Sequence, residues 1–200
     1  MKHKILIILL IGLIGCKSSK YGTLTSEIST FDNLKLKYAL NLEKEYKSED
    51  ISRNRRVGLG KGIYPNENNY ELEISKDFIR LEKPDFTITT DYHYSKDSTI
   101  RVIMYEWNDL KRKLGDLTHS RDENNERREV FRLKYEALSS TLIKLYGEPT
   151  IVEENSINNE KGNFRDSYKW LDRNGMNAYL FIFGNDKNSY NQIRLAIYKD

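Results

Sequence analysis

Asp91 and His93 stand two residues apart, so on a strand both side chains leave the same face. That is the geometry of two metal ligands, but a zinc site takes three or four, and no further ligand is legible near them. The plainer expectation is a surface pair beside a turn. His119 stands just before a helix start and is expected to be solvated. Glu153 and Glu154 are adjacent, which on a strand sends them to opposite faces and prevents a close acid pair. Gly58-Leu59-Gly60-Lys61-Gly62 has the glycine density of a phosphate loop. It lacks the four-residue spacer and the Ser or Thr after the lysine, so it reads as a turn or a glycine-rich strand edge. No nucleophile elbow occurs, and no Ser and His stand in a recognisable triad order. An enzyme reading therefore has no named residues behind it, and no metal or cofactor site is expected.

Aromatic residues are the remaining chemical lead. Phe86, Tyr92, Tyr105 and Trp107 share one face of an expected hairpin, and Trp170, Tyr179 and Phe181 share a face of a second. Exposed aromatics flanked by polar groups stack on sugar rings or anchor a partner protein. Trp107, Trp170, Tyr179 and Phe181 are thus the candidate ligand-binding residues. Against this, large aromatics are usually buried, and a second core layer under the N-terminal segment is the favoured account of them. Trp170, in mid-strand, is the one expected first in the core; Trp107 ends its strand beside Asn108 and Asp109.

The N-terminus has a definite layout. Lys2 and Lys4 precede an eleven-residue run without polar side chains, Ile5 to Gly15, and Cys16 follows. Charge, apolar run and a small residue before the next segment make a secretory signal peptide, and the run falls short of the roughly 20 apolar residues that span a bilayer. Leu13-Ile14-Gly15-Cys16 resembles the lipobox of bacterial lipoproteins at every position. The resemblance implies cleavage between Gly15 and Cys16, a diacylglycerol on the Cys16 sulfur, and acylation of the new amine. Two or three such chains hold a protein stably on a membrane, at about 0.8 kcal/mol per buried methylene. Lys17 stands where an Asp often retains enterobacterial lipoproteins at the inner membrane, so the resemblance implies the outer membrane, facing the periplasm.

Removal of residues 1–15 leaves 185 residues, enough for one domain with a real core. Lys2 and Lys4 leave with the signal, and the net charge falls from +3 to +1. A near-neutral chain lacks the concentrated basic face that nucleic acid needs. Cys16 is the only cysteine, so neither disulfides nor thiolate ligands shape the fold. Fourteen tyrosines against three prolines favour ordered, strand-rich structure.

The elements follow from periodicity. Residues 16–25 are small and polar and form a tether; residues 26–200 form a single domain. Leu34, Leu36, Tyr38, Leu40 and Leu42 alternate like a strand, although the intervening charges also suit a helix. Phe86–Tyr94 and Thr99–Trp107 pair across Ser95–Ser98, with Tyr94 opposite Thr99, Tyr92 opposite Arg101 and Phe86 opposite Trp107. A long helix spans about 120–146. Ser120 and Glu123 resemble a capping box, Gly147 suits the residue after the helix, and Pro149 stops it. Its apolar stripe is Val130, Leu133, Ala137, Leu138, Thr141, Leu142 and Leu145, widened by Phe131 and Tyr135. Lys111, Arg112, Lys113, Arg121, Arg127 and Arg128 mix with acidic residues near its start and read as a solvated face. Asp166–Asp172, Met176–Phe183 and Tyr190–Tyr198 have period two, with a hairpin turn at Asn174-Gly175. Leu171, Met176, Ala178, Leu180, Ile193, Leu195 and Ile197 then share an aliphatic face, and Tyr168 and Trp170 join Tyr179 and Phe181 on the other. The expected architecture is an α+β two-layer sandwich, an antiparallel sheet with one long helix packed on it.

Function is expected to follow location. The leading expectation is a lipid-anchored protein of a bacterial cell envelope, attached to the membrane through Cys16, that binds or assembles with another envelope component without catalysis. Binding of a glycan or other small ligand through the aromatic strand faces is the second expectation, and an envelope hydrolase the third.

Overall fold

The computed structural model describes residues 34–55, 59, 71–111, 120–158, 162–185, 187 and 190–199. The signal segment, Cys16, the tether, His119 and most of the Gly58–Gly62 stretch lie outside the described residues. The chain is mixed α+β, and the described residues form an open antiparallel sheet of eight strands with two helices. Among the described residues helix α1 (Leu36–Glu45) is followed by β1 (Glu49–Asp50), β2 (Lys76–Glu82), β3 (Phe86–Tyr94) and β4 (Ile100–Asp109). Helix α2 (Arg121–Tyr146) leads to β5 (Ile151–Asn158), β6 (Asn163–Arg173), β7 (Met176–Asn185) and β8 (Tyr190–Lys199). The order β1-β2-β3-β4-β8-β7-β6-β5 makes two four-stranded meanders that meet where β4 pairs with β8. Helix α2 is the connection between them.

The sheet has two unlike faces. One carries Ile88, Tyr92, Ile103, Tyr105, Trp107, Phe164, Trp170, Ala178, Leu180, Ile182, Ile193, Leu195 and Ile197, in one buried cluster with Leu34 and Ala39 of the α1 region and Phe131, Tyr135, Leu138 and Leu142 of α2. Phe131 meets Phe86 edge to face at 5.0 Å. The other face holds a smaller apolar cluster, Val102, Met104, Tyr179, Phe181, Ala196 and Tyr198 with Leu59.

The Leu34–Leu42 strand expectation is corrected: Leu36–Glu45 is helical. The helix buries Ala39 and Glu43, while Tyr38 and Leu40 are exposed. Glu43 is the reason for the misreading. Its carboxylate accepts from Arg80 Nη1 at 2.9 Å and Tyr92 Oη at 2.7 Å, and also from Ser48 Oγ. A charged residue therefore occupies the helix's most buried position, and apolar periodicity reads that position as solvent-facing.

Two β-bulges correct two registers. In the β3–β4 hairpin Tyr92 faces Ile103, Ile88 faces Trp107 and Phe86 faces Asp109, two residues from the expected pairing. One residue of the slide is already present at the turn, where Tyr94 faces Ile100 instead of Thr99, and the second enters between His93 and Tyr94, where Arg101 is the extra residue on β4. Because the net slide is two residues, Ile88, Tyr92, Tyr105 and Trp107 still share a face. In β6–β7 the slide is one residue. Asn174 and Gly175 form the turn with φ of 56° and 74°, and Arg173 faces Met176, but Trp170 then faces Ala178. Asp172 takes a φ of 51° and its N–H donates to Asn177 Oδ1 at 2.9 Å. The extra residue turns Tyr168 and Trp170 onto the aliphatic face, away from Tyr179 and Phe181.

Helix α2 has its expected ends. Ser120 and Glu123 close a capping box, and Gly147 follows with φ of 77°. The stripe is rotated, however. Phe131, Tyr135, Leu138 and Leu142 are buried, whereas Leu133 is 56% exposed and Leu145 38%. The two aromatics are the centre of the stripe rather than its margin.

Candidate functional site

Helix α2, β5 and β6 together line a cleft of about 300 Å³. Arg132, Tyr135 and Glu136 come from α2, where spacings of three and four bring side chains to one side. Asp166 and Tyr168 come from β6, two apart and on the same face. Glu154 completes the lining from β5. Its neighbour Glu153 serves the opposite face, accepting from Ser167 Oγ at 2.7 Å, so the adjacent pair diverges.

Two tyrosines and four charged side chains line the cleft. Tyr135 and Tyr168 stack with ring centroids 5.6 Å apart and planes 16° from parallel. Arg132 Nη1 lies 2.6 Å from Asp166 Oδ2 and neutralises it. Glu136 and Glu154 have no ion-pair partner among the described residues. Tyr135 is 3% exposed, and its hydroxyl has no hydrogen-bond partner. Burial pushes the Tyr135 phenol up, and the nearby Tyr168 and Asp166 push it the same way. Burial raises Tyr168 as well, with Glu154 and Asp166 adding to it. Both phenols therefore keep their protons, each able to donate one hydrogen bond and accept others.

The expected candidates are elsewhere. Trp107 is 2% exposed and Trp170 is 0%. The Trp107 indole N–H donates to Glu82 Oε2 at 2.9 Å, and the Trp170 N–H donates to the Gly147 carbonyl at 2.8 Å. Both indoles are satisfied core residues without a free ring face. Tyr179 and Phe181 lie on the opposite side of the sheet, 4.8 Å apart, in a ladder continued by Phe183 at 5.7 Å. Cations cover the ladder: Lys169 lies 4.6 Å from the Tyr179 ring, Arg165 5.1 Å from Phe181 and Arg194 5.3 Å from Phe183. The structure thus separates the four candidates between two faces.

Asp91 and His93 also lie on that opposite face, and the surface-pair expectation is corrected because His93 is buried. Burial pushes Asp91 up to about 7, with Asp77 and Glu106 adding to the effect. Burial pushes His93 down to about 4 against the pull of Asp77. The His93 Nε2 has no hydrogen-bond partner. Glu106, raised by burial, pairs with Arg194 at 2.6 Å. Among the described residues no group of three or more His, Cys, Asp or Glu side chains is placed to hold a metal ion.

Arg127 corrects the solvated-face expectation. It is buried, with Nε 2.9 Å from Asp109 Oδ2 and Nη1 2.8 Å from Asp85 Oδ1. This network ties the start of α2 to the β2–β3 turn and the end of β4.

Sequence reasoning passed over the cleft for a definite reason. Its lining combines three elements, and the β6 bulge moves Tyr168 to a face that alternation does not give it. The available signal was the Arg132-Tyr135-Glu136 spacing, a polar patch inside the apolar stripe. No protein-family model matches the chain, and neither does any curated protein or solved structure.

Proposed function

We propose that this chain is a lipid-anchored protein of a bacterial cell envelope, held through Cys16, whose domain binds a small ligand without catalysing a reaction on it. The anchor rests on Lys2, Lys4, the apolar run and Leu13-Ile14-Gly15-Cys16. The outer membrane, facing the periplasm, is the proposed address, because Lys17 follows the cysteine. The binding half rests on one observation, the cleft of about 300 Å³ that α2, β5 and β6 line. That volume is at the lower end of the roughly 300–1,000 Å³ of small-molecule sites. The cleft takes over the role that the sequence assigned to Trp107 and Trp170, whose rings have no free face. The architecture that accompanies this reading is a two-layer sandwich with α2 as the second layer; the Phe86–Phe131 and Tyr135–Tyr168 ring contacts support it.

Two measurements test the anchor. The wild-type chain should incorporate labelled palmitate and fractionate with membranes, and Cys16→Ser should take up no label and leave the membrane fraction. A Cys16→Ser protein that stays with membranes, together with an unlabelled wild type, would overturn the lipoprotein reading.

A further inference from the structure

We infer that the end of the sheet carrying the β3–β4 turn faces the membrane and sits on anionic lipid headgroups. This rests on the proposal that Cys16 is lipidated, and it names the surface of the domain that meets the bilayer. The first observation is where the chain enters the domain. Leu34 is buried, and its carbonyl accepts from the Ile100 N–H at 2.9 Å. The Leu36 N–H donates to the Ser98 carbonyl at 2.9 Å, and Lys35 Nζ donates to Thr99 Oγ1 at 2.5 Å. The 17 residues between Cys16 and Leu34 span at most about 65 Å. The anchor is therefore tied to the β3–β4 end of the sheet.

Attachment alone does not orient a domain; the chemistry of that end is the second observation. The sheet is antiparallel, so the start of α1, the β3–β4 and β6–β7 turns, the last turn of α2 with its link to β5, and the end of β8 all lie there. These segments carry Lys35, Lys37, Lys96, Lys144, Arg173 and Lys199 against Asp97, Glu148 and Asp172. Glu71 and Glu73, before β2 at the same end, are offset by Lys76 and Arg101. The opposite end has no basic excess, because Asp85, Asp109, Asp122 and Glu123 answer its lysines and arginines. Exposed apolar side chains follow the same division. Leu145, Ile151 and Val152 share the basic end, whereas among the described residues Leu81 is the one large exposed apolar side chain at the other. A basic surface with apolar side chains among its charges suits the headgroup region, where each Lys or Arg near an anionic leaflet favours contact about fivefold and apolar groups find an acyl boundary.

The test uses the full lipidated chain in vesicles. Lipidation occupies Cys16, the only cysteine, so one added cysteine takes a fluorophore by itself. Glu148→Cys labels the β3–β4 end, and Asp122→Cys labels the start of α2 at the other end. Both positions are exposed, and each change removes one negative charge. Strands of ten residues hold the two ends about 33 Å apart, far enough for a quencher on the headgroups to tell them apart. In vesicles of equal parts phosphatidylglycerol and phosphatidylcholine, the Glu148→Cys label should be quenched strongly and the Asp122→Cys label weakly. The difference should shrink in pure phosphatidylcholine and as salt is raised. Lys96→Gln and Lys144→Gln should each lower the ratio of contacting to free domain up to about fivefold, and Lys187→Gln, at the opposite end, should leave it unchanged. Equal quenching of the two labels, or stronger quenching of Asp122→Cys, on vesicles that carry the protein would overturn the orientation and keep the anchor. Quenching of Glu148→Cys that is the same in pure phosphatidylcholine and in both Gln variants would overturn anionic headgroups as the partner. Protein that does not float with the vesicles would overturn the anchor and this inference together.

Discussion

Arg127 is one of several alternating charges near the start of α2, and nothing in its own type separates it from its neighbours. Its surroundings do. Asp85 and Asp109 fix its guanidinium in a buried position. Arg127→Ala should therefore cost about 2–3 kcal/mol, less than the full penalty of a stranded buried charge because Asp85 keeps Lys111 at 3.0 Å. A urea titration giving a loss below about 0.5 kcal/mol, the usual surface value, would show that the pair is not formed. Trp170→Ala and Trp107→Ala should each cost about 3–5 kcal/mol, as for other buried large aromatics. A folded, unweakened variant of either would return that indole to the list of ligand contacts. Asp91 and His93 give a pH prediction. Asp91 is raised from 3.8 to about 7, so its contribution is complete below pH 3.8 and is lost as pH rises to 7. His93 is lowered from 6.5 to about 4, so its contribution is complete above pH 6.5 and is lost as pH falls to 4. The two oppose each other in the shared window. In Asp91→Asn only the His93 slope remains, and the urea midpoint should climb between pH 4 and 6.5 more steeply than in the wild type. Parallel pH curves for the two proteins would rule out a buried, protonated Asp91.

Helix α2 was readable because every signal agreed on its ends. Ser120, Glu123, Gly147 and Pro149 are local devices that act through the backbone groups next to them. Ser120→Ala should cost about 1 kcal/mol, the typical value for a lost N-cap. The rotation of its buried face was not readable, since Leu133 and Leu145 are as apolar as Leu138 and Leu142. Which leucines go in depends on where the sheet lies. Leu142→Ala should cost about 2–5 kcal/mol and Leu133→Ala no more than about 0.5 kcal/mol. Equal losses measured by thermal unfolding would sink this orientation. Helix α1 was misread for the opposite reason. Its key inward residue, Glu43, is charged, and it is acceptable inside only because Arg80 and Tyr92, far along the chain, meet it.

At the scale of the molecule the two meanders share one seam, the β4–β8 pairing, from Val102 opposite Tyr198 to Trp107 opposite Ile193. Trp107 lies in the first meander and Trp170 in the second, so each reports on its own half. Tyr105 and Trp107 belong to the same buried cluster as Leu195 and Ile193 across that seam. The halves should therefore unfold together. In the single-tryptophan variants Trp107→Phe and Trp170→Phe, the urea midpoint by fluorescence should coincide with the midpoint by far-ultraviolet circular dichroism. A fluorescence midpoint that departs from the circular dichroism midpoint in either variant would mean two units instead of one.

The division between chain and fold runs along the range of the interaction. Ser120 carries the cap, Asn174-Gly175 the turn, and the alternating strands the α+β class; in each, neighbours in sequence are the interacting groups. What only the tertiary structure decided depends on partners far apart. One added residue in β6 moved Trp170 and Tyr168 to the other face, and no local propensity distinguishes Leu171 or Asp172 as the place for it. The burial of Arg127, Glu43 and His93 was settled by groups tens of residues away, since a charge is tolerated inside only where a partner waits and an imidazole only where it stays neutral. The cleft belongs to the same class. Arg132, Glu154 and Asp166 become one site only when α2, β5 and β6 come together, and the space between them has no signature in any single segment.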